Sequence, residues 1–138
     1  MVESDPVTVD WKGEGLLMEA TTPHGRVDLS SSLDRAGAGV TPMEALAVAL
    51  GACTAMDVVS ILAKMRQPLE GLRVEVHGET AEDHPRRYLS LEVVYRLRGD
   101  LDEARVRRAV DLSEQRYCSV AATLQPAVPL SSRIVIER

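Results

Sequence analysis

Two cysteines are the residues of this sequence best suited to covalent chemistry. Cys53 and Cys118 lie 65 positions apart, and neither belongs to a CxxC motif. A thiolate that attacks the O–O bond of a peroxide becomes a sulfenic acid. A second thiol can then condense with it to a disulfide, which an external dithiol reduces. The alternative is that both cysteines are small buried side chains, as reduced cysteines in the cytosol usually are, and their separation alone decides nothing.

A nucleophilic cysteine needs a nearby cation, because the thiolate is the reactive form. Cys53 is expected about three turns into a long helix, where the dipole of that helix no longer has an effect. Arg26 and Arg35 precede the helix and are the candidate partners. Asp57 follows Cys53 by one turn, and its negative charge would disfavour a thiolate unless an arginine pairs with it.

The second cysteine and one glutamate each have a functional and a structural interpretation. Cys118 follows Tyr117 near a predicted helix start, where unpaired N–H groups favour a thiolate. Glu44 stands three residues after Thr41 and is either the glutamate of a capping box or a catalytic residue. The three histidines and two cysteines show none of the short ligand spacings of zinc proteins. No metal site is therefore expected.

Length and charge restrict the possible partners. A chain of 138 residues predicts one domain over residues 1–138. Its net charge of −5 argues against binding to nucleic acid or to an anionic membrane surface. No apolar run is expected to be long enough to cross a bilayer. The first 12 residues lack the pattern of a secretory signal, so we expect a cytoplasmic protein.

A long apolar helix is the clearest predicted element of the first half. Short strands are predicted before it, around Val7–Val9, 16–20 and 26–29, followed by a loop over 30–40. Thr41-Pro42-Met43-Glu44 then supplies an N-cap, a proline at the first helical position and a capping-box glutamate. Nearly every position over 45–65 is apolar, which predicts burial on most sides, inside the fold or in a subunit interface.

The second half predicts strands and helices in separate runs. Strands are expected over 72–76, 89–97 and 133–137, the first two from alternating apolar residues. A second capping box over 100–103 predicts a helix that breaks near Tyr117-Cys118 and continues over 119–124. Because strands and helices are segregated along the chain, the predicted class is α+β with antiparallel sheets.

Two segments resemble the OsmC/Ohr family. Residues 41–62, which contain Gly51-Ala52-Cys53-Thr54-Ala55-Met56-Asp57, are similar to the central helix of that family. Tyr117-Cys118-Ser119-Val120 is similar to its second cysteine motif. The Asp57-Val58-Val59 run and the His84-Pro85-Arg86 turn look most like the YhfA-type branch.

The resemblance implies a fold, a reaction and a set of site residues. It implies an intertwined homodimer in which antiparallel sheets wrap two long helices, and both sites lie at the subunit interface. It implies a peroxidatic Cys53 and a resolving Cys118, which act on organic hydroperoxides with a dithiol as reductant and without a cofactor. The family arginine matches Arg26 better than Arg35. The family glutamate, ten positions before the first cysteine, falls on Met43, which leaves the adjacent Glu44 as the candidate.

Two other functions remain open on the same residues. A non-enzymatic protein of this fold would use an apolar interface pocket for a small hydrophobic ligand, and Met43 and Asp57 favour that alternative. A thiol redox sensor would keep the disulfide and lack peroxide turnover. The rate of turnover with a dithiol distinguishes the three.

Overall fold

The structure, a computed structural model, describes residues 1–31, 33–34 and 39–138. It divides into two compact units, Met1–Leu46 and Ala47–Arg138. Arg35 and part of the loop predicted over 30–40 lie outside the described residues. The expectation of one domain over residues 1–138 stays a prediction.

The first unit contains an antiparallel sheet of three short strands. These are β1 (Thr8–Trp11), β2 (Met18–Thr22) and β3 (Gly25–Leu29), in the order β1-β2-β3. The Thr22 hydroxyl accepts hydrogen bonds from the backbone N–H groups of His24 and Gly25, which closes the turn between β2 and β3. The three strands predicted in this region are confirmed.

Helix α1 spans Pro42–Lys64 and begins with the predicted capping box. The backbone N–H of Glu44 donates to the Thr41 hydroxyl at 3.2 Å, and the backbone N–H of Thr41 donates to the Glu44 carboxylate at 2.8 Å. These reciprocal bonds satisfy donors that a helix start otherwise leaves unpaired. Local chemistry therefore determines where α1 starts.

The second unit contains a mixed sheet of three longer strands. These are β4 (Gly71–Thr80), β5 (Tyr88–Arg98) and β6 (Leu130–Glu137), in the order β4-β5-β6. Strands β4 and β5 are antiparallel, whereas β5 and β6 are parallel. The α+β class is confirmed, but β6 departs from the expected antiparallel pairing. The reason is the long helical connection between β5 and β6, which returns the chain to the same end of the sheet.

That connection consists of α2 (Glu103–Leu112), a π-helical turn over Ser113–Tyr117 and α3 (Ser119–Leu124). The break predicted near Tyr117-Cys118 is confirmed. The capping box predicted over 100–103 is wrong, because Asp102 is the N-cap and accepts from the N–H groups of Ala104 and Arg105. The preceding Leu101 is 2% exposed, so its side chain lies in the core just before the helix begins.

The core of the second unit lies between β5, α2 and one stripe of α1. The stripe repeats every fourth residue and is fully buried: Leu50, Thr54, Val58 and Leu62. Its main partners are buried residues of β5 and α2: Leu91, Val93, Tyr95, Leu97, Val106, Ala109 and Val110. A helix with one continuous buried stripe is expected to pack that stripe against a sheet and a neighbouring helix.

The opposite face of α1 is apolar and exposed. At 3.6 residues per turn, Val48, Ala52, Met56, Val59 and Ala63 share one stripe, and all five are exposed. Met56 is 70% exposed. The expectation that α1 is buried on most sides is therefore wrong within a single chain.

Helix α1 also has the length and composition of a membrane span. An 18-residue window of its 23 residues has a mean hydropathy of 2.0. The expectation that no apolar run is long enough is therefore wrong. One such helix is weak support for a membrane protein, because a core helix of a globular protein has the same properties, and α1 packs a full stripe into the core of the second unit.

Candidate active site

The two cysteines lie together in the second unit. The Sγ atoms of Cys53 and Cys118 and a carboxylate oxygen of Asp57 all lie within 4.8 Å of one another. Both cysteines are free thiols. The two sulfurs are thus close enough for one to reach the other through side-chain rotation and small backbone shifts.

Helix α1 and the π-helical turn position these three side chains. Cys53 and Asp57 are one turn apart on the same side of α1, between its buried and its exposed stripe. At the end of the π-helical turn, the backbone N–H of Cys118 donates to the carbonyl of Ser113 at 2.7 Å, five residues back. Such π-helical turns are frequent at functional sites. Cys118 is then the N-cap of α3 and accepts from the N–H of Ala121 at 3.3 Å.

The two thiols differ in burial and in protonation. Cys118 is 2% exposed, whereas Cys53 is half-buried. Burial, reinforced by a hydrogen bond with Cys53, raises the pKa of Cys118 to about 11, against the opposing effect of the N–H of Ala121. Cys118 therefore carries its proton at neutral pH, and a solvent-borne reactant meets Cys53 first.

Asp57 is held by a serine where the sequence suggested an arginine. The hydroxyl of Ser113, which is fully buried, donates to Oδ2 of Asp57 at 2.9 Å. The bond joins the π-helical turn to α1 beside both sulfurs. Ser113 follows the buried Ala109 and Val110 of α2 by about one turn. A serine at that spacing is the signal that could have indicated this contact, because a buried hydroxyl needs a hydrogen-bond partner.

A hydrogen-bonded pair of Tyr95 and Glu114 adjoins the thiols and was not predicted from the sequence. The hydroxyl of Tyr95 donates to the Glu114 carboxylate at 2.8 Å and also interacts with Thr54. Burial raises the pKa of Tyr95 well above its usual range, with a further contribution from Glu114. Burial likewise raises the pKa of Glu114, partly offset by the bond from Tyr95. A single tyrosine on an otherwise aliphatic strand face was the available signal, because a buried phenol needs a partner.

Known proteins are similar to this chain in both sequence and fold. The model of the OsmC-like protein family matches residues 35–133. This chain belongs to the OsmC-like family. Protein YhfA of Escherichia coli strain K12 is 39% identical over 125 residues, which cover 89% of this chain and 91% of YhfA. The resemblance to the YhfA-type branch is confirmed.

Solved structures extend the likeness to almost the whole OsmC-like chain. A hypothetical protein from Aquifex aeolicus VF5 is 29% identical with a TM-score of 0.88, and the match covers 99% of this chain and 98% of that one. The organic hydroperoxide resistance protein OhrB of Bacillus subtilis is 15% identical with a TM-score of 0.65, covering 96% and 98%. At that identity OhrB shows a shared fold and no more.

Two predicted site residues of this OsmC-like protein belong to the first unit. Arg26 is exposed on β3 and pairs in register with Thr21. Glu44 is the capping-box residue of α1. The cysteines, Asp57 and Ser113 belong to the second unit. The structural interpretation of Glu44 is thus confirmed, and catalytic roles for Arg26 and Glu44 stay predictions.

Proposed function

We propose that this OsmC-like protein is a cysteine-dependent hydroperoxide reductase, with Cys53 as the peroxidatic and Cys118 as the resolving cysteine. The observation that carries the proposal is the pair of sulfurs within 4.8 Å of each other, one half-buried and one fully buried. Cys53, the accessible thiol, would react with the peroxide first. Cys118, the buried and protonated thiol, would be the nucleophile of the second step. The roles follow from this difference in burial.

The reaction balances with two electrons. The Cys53 thiolate attacks the terminal oxygen of a hydroperoxide, the O–O bond breaks, and the alkoxide leaves as an alcohol after it takes a proton. The sulfur of Cys118 then attacks the Cys53 sulfenic acid. The S–O bond breaks, the proton of Cys118 leaves with the hydroxide as water, and a disulfide forms. An external dithiol returns two electrons and two protons by thiol–disulfide exchange.

The surroundings of Cys53 favour an organic hydroperoxide. Cys53 borders the exposed apolar stripe of α1, which includes Met56 and Val59. An apolar substituent would bury surface there, which hydrogen peroxide cannot do. OhrB, whose fold this chain shares, is named for resistance to organic hydroperoxides.

We further propose a homodimer in the cytoplasm. A chain that exposes Val48, Met56 and Val59 on one helix presents an apolar surface of the kind that marks an interface. In the first unit, Val9 and Trp11 of β1 are also more than half exposed. A second copy of the chain would cover such surfaces, and a reducing compartment would keep both cysteines as thiols.

A second candidate function is the binding of a small apolar ligand without turnover. A cavity of about 470 Å³ lies in the first unit. Its lining is mainly apolar: Leu16, Met18, Leu29, Ser30, Ser31, Thr41, Pro42 and Met43. A cavity of this size and polarity is within the range of small-molecule sites.

Consumption of cumene hydroperoxide with excess dithiol tests the proposal. We expect turnover by the reduced protein that falls to the rate of free dithiol in Cys53→Ser. Cys118→Ser should still form a sulfenic acid, which a dimedone adduct on Cys53 would report, but should recycle more slowly. Ser119→Ala, beside Cys118 and exposed, is the matched control and should retain the full rate.

The remaining outcomes separate the alternatives. One equivalent of peroxide consumed without turnover would contradict the reductase and favour a redox sensor. No consumption above free dithiol would contradict both and favour the apolar-ligand protein. In that case native mass spectrometry of the purified protein should show a bound ligand.

A further inference from the structure

We propose that Cys53, Asp57 and Cys118 form a binding site for a thiophilic divalent cation, for which Zn²⁺ is the best fit. Two sulfurs and one carboxylate oxygen converge within 4.8 Å of one another. The inference rests on the thiol pair of the proposed function but not on its peroxide chemistry. Each could therefore be true without the other.

The distances suit a tetrahedral ion after a small contraction. Zinc binds thiolate sulfur at about 2.3 Å and carboxylate oxygen at about 2.0–2.2 Å, so two tetrahedral sulfur ligands lie roughly 3.8 Å apart. The observed limit of 4.8 Å leaves no more than about 1 Å to close. Cys53 and Asp57 can close it by side-chain rotation, because ligands at i and i+4 of a helix share one face.

The spacing of cysteines and histidines in the sequence did not indicate this metal site. The expectation that there is no metal site rests on the absence of short spacings between cysteines and histidines. The structure joins two ligands one turn apart on α1 to a third ligand, Cys118, that the π-helical turn brings from the other end of the chain. A carboxylate also takes the place of a histidine. Neither feature leaves a local motif.

Neighbouring hydrogen bonds hold two of the three ligands. Ser113 donates to Oδ2 of Asp57, and an ionised carboxylate has further lone pairs with which to bind an ion. The N–H of Ala121 donates to the sulfur of Cys118. Partners of this kind orient ligands in known metal sites and contribute to affinity. Cys53 and Asp57 are half-buried, so an ion has a path from solvent and can keep a water as fourth ligand.

The donor set selects the class of metal. Thiolates favour zinc and other thiophilic ions over magnesium and calcium, which take oxygen ligands. Binding requires both thiols to lose their protons to solvent, and the positive ion then stabilises the two thiolates. A bound ion would occupy the sulfur lone pair that attacks a peroxide. A disulfide would remove two of the three ligands, so only the reduced protein binds the ion.

Competition between the protein and a chromophoric chelator for Zn²⁺ tests the site. We expect the reduced full-length protein, treated first with EDTA, to bind one ion per chain, and the disulfide form to bind none. Cys53→Ser, Cys118→Ser and Asp57→Ala should each weaken binding at least about 10-fold. Glu103→Gln, an exposed acid at the start of α2, is the control and should bind as the wild type does.

Cobalt gives a readout that does not depend on the variants folding. Co²⁺ added to the reduced wild-type protein should produce the intense near-ultraviolet absorption of thiolate-to-cobalt charge transfer, and Zn²⁺ should abolish it. Absence of this absorption, or zinc binding that both cysteine variants retain, would overturn the site. Zinc binding without hydroperoxide turnover would refute the proposed function alone, whereas turnover by a protein that binds no zinc would refute this inference alone.

Discussion

The Ser113–Asp57 hydrogen bond directly links α1 to the π-helical turn beside the thiols. It joins a fully buried hydroxyl to a half-buried carboxylate at 2.9 Å. A hydrogen bond to a charged group contributes about 1.5–3 kcal/mol, and less where water can replace it. We expect Ser113→Ala to lower the free energy of unfolding by about 1–2 kcal/mol, measured by urea denaturation. Exposed Ser119→Ala should change it by less than about 0.5 kcal/mol, and equal effects would contradict the assignment.

Glu114 introduces a pH dependence at the same place. Burial raises the pKa of Glu114 in the folded chain above its unfolded value of 4.5. The folded state therefore binds this proton more tightly, and its contribution to stability is complete below the unfolded pKa and is lost as pH rises through the folded pKa. Glutamine keeps an acceptor for Tyr95 and carries no charge. We expect Glu114→Gln to raise the urea midpoint at pH 7 and to have little effect at pH 4.

Comparison with the half-buried ion pair Glu75–Arg96 provides the check on sign. Hydrogen bonds from Arg96 and His77 lower the pKa of Glu75, so its contribution is present above the unfolded pKa and is lost as pH falls. Glu75→Gln should therefore lower the midpoint at pH 7, opposite to Glu114→Gln. A fall at pH 7 in both variants would contradict the burial argument for Glu114.

The contacts between the candidate site residues were harder to predict from the sequence than the candidate residues themselves. Cys53 and Cys118 could be chosen as candidate site residues from the sequence, but their approach depends on a π-helical turn that no local pattern indicates. Asp57 was recognised as a neighbour of Cys53 from helical spacing. Its partner Ser113 comes from 56 positions further along the chain, a contact that only packing decides.

At the scale of elements, Gly51 allows α1 to lie close to β4. A Cβ atom at this position would be 3.1 Å from Cγ2 of Val76 and 3.8 Å from Cγ1 of Val74. A larger side chain must therefore push the helix from the sheet, and overpacking of this kind costs typically about 1–3 kcal/mol. We expect Gly51→Leu to lower the free energy of unfolding by that amount, measured by urea denaturation.

Position 104, on the exposed face of α2, offers the matched substitution. Ala104 is exposed within the chain, so Ala104→Leu adds volume to a helix without meeting the sheet. Its effect on stability should stay within about 0.5 kcal/mol. If Gly51→Leu were equally mild, the close approach of α1 to β4 would not constrain the fold.

Element boundaries followed from the sequence where local chemistry decides them. The capping box of Thr41 and Glu44 gave the start of α1 correctly, because both partners lie within one turn. Helix α2 begins at Glu103, later than the capping box predicted over 100–103 indicated. The reason is that the side chain of Leu101 is buried in the core. The direction of β6 was unpredictable from its own residues, since the path of α2 and α3 determines it.

At the scale of the whole molecule, the all-round apolar character of α1 remains to be explained. One stripe packs into the core, and an opposite stripe containing Val48, Met56 and Val59 is exposed. A lone chain gains nothing from this second stripe, whereas a helix that packs on both sides needs both. The prediction of burial on most sides is therefore wrong for a single chain, and it would hold only in the proposed homodimer, where a second chain covers this stripe.

A charge in the middle of that stripe tests the proposed homodimer. Met56 is 70% exposed within the chain, so Met56→Glu should leave the single chain folded. In a dimer whose interface includes this stripe, it would bury an unpaired carboxylate, which costs several kcal/mol. We expect multi-angle light scattering to give twice the chain mass for the wild type and the single-chain mass for Met56→Glu. Arg105→Glu, on the exposed face of α2, should remain dimeric. A monomeric wild type would contradict the dimer, and a dimeric Met56→Glu would place its interface elsewhere.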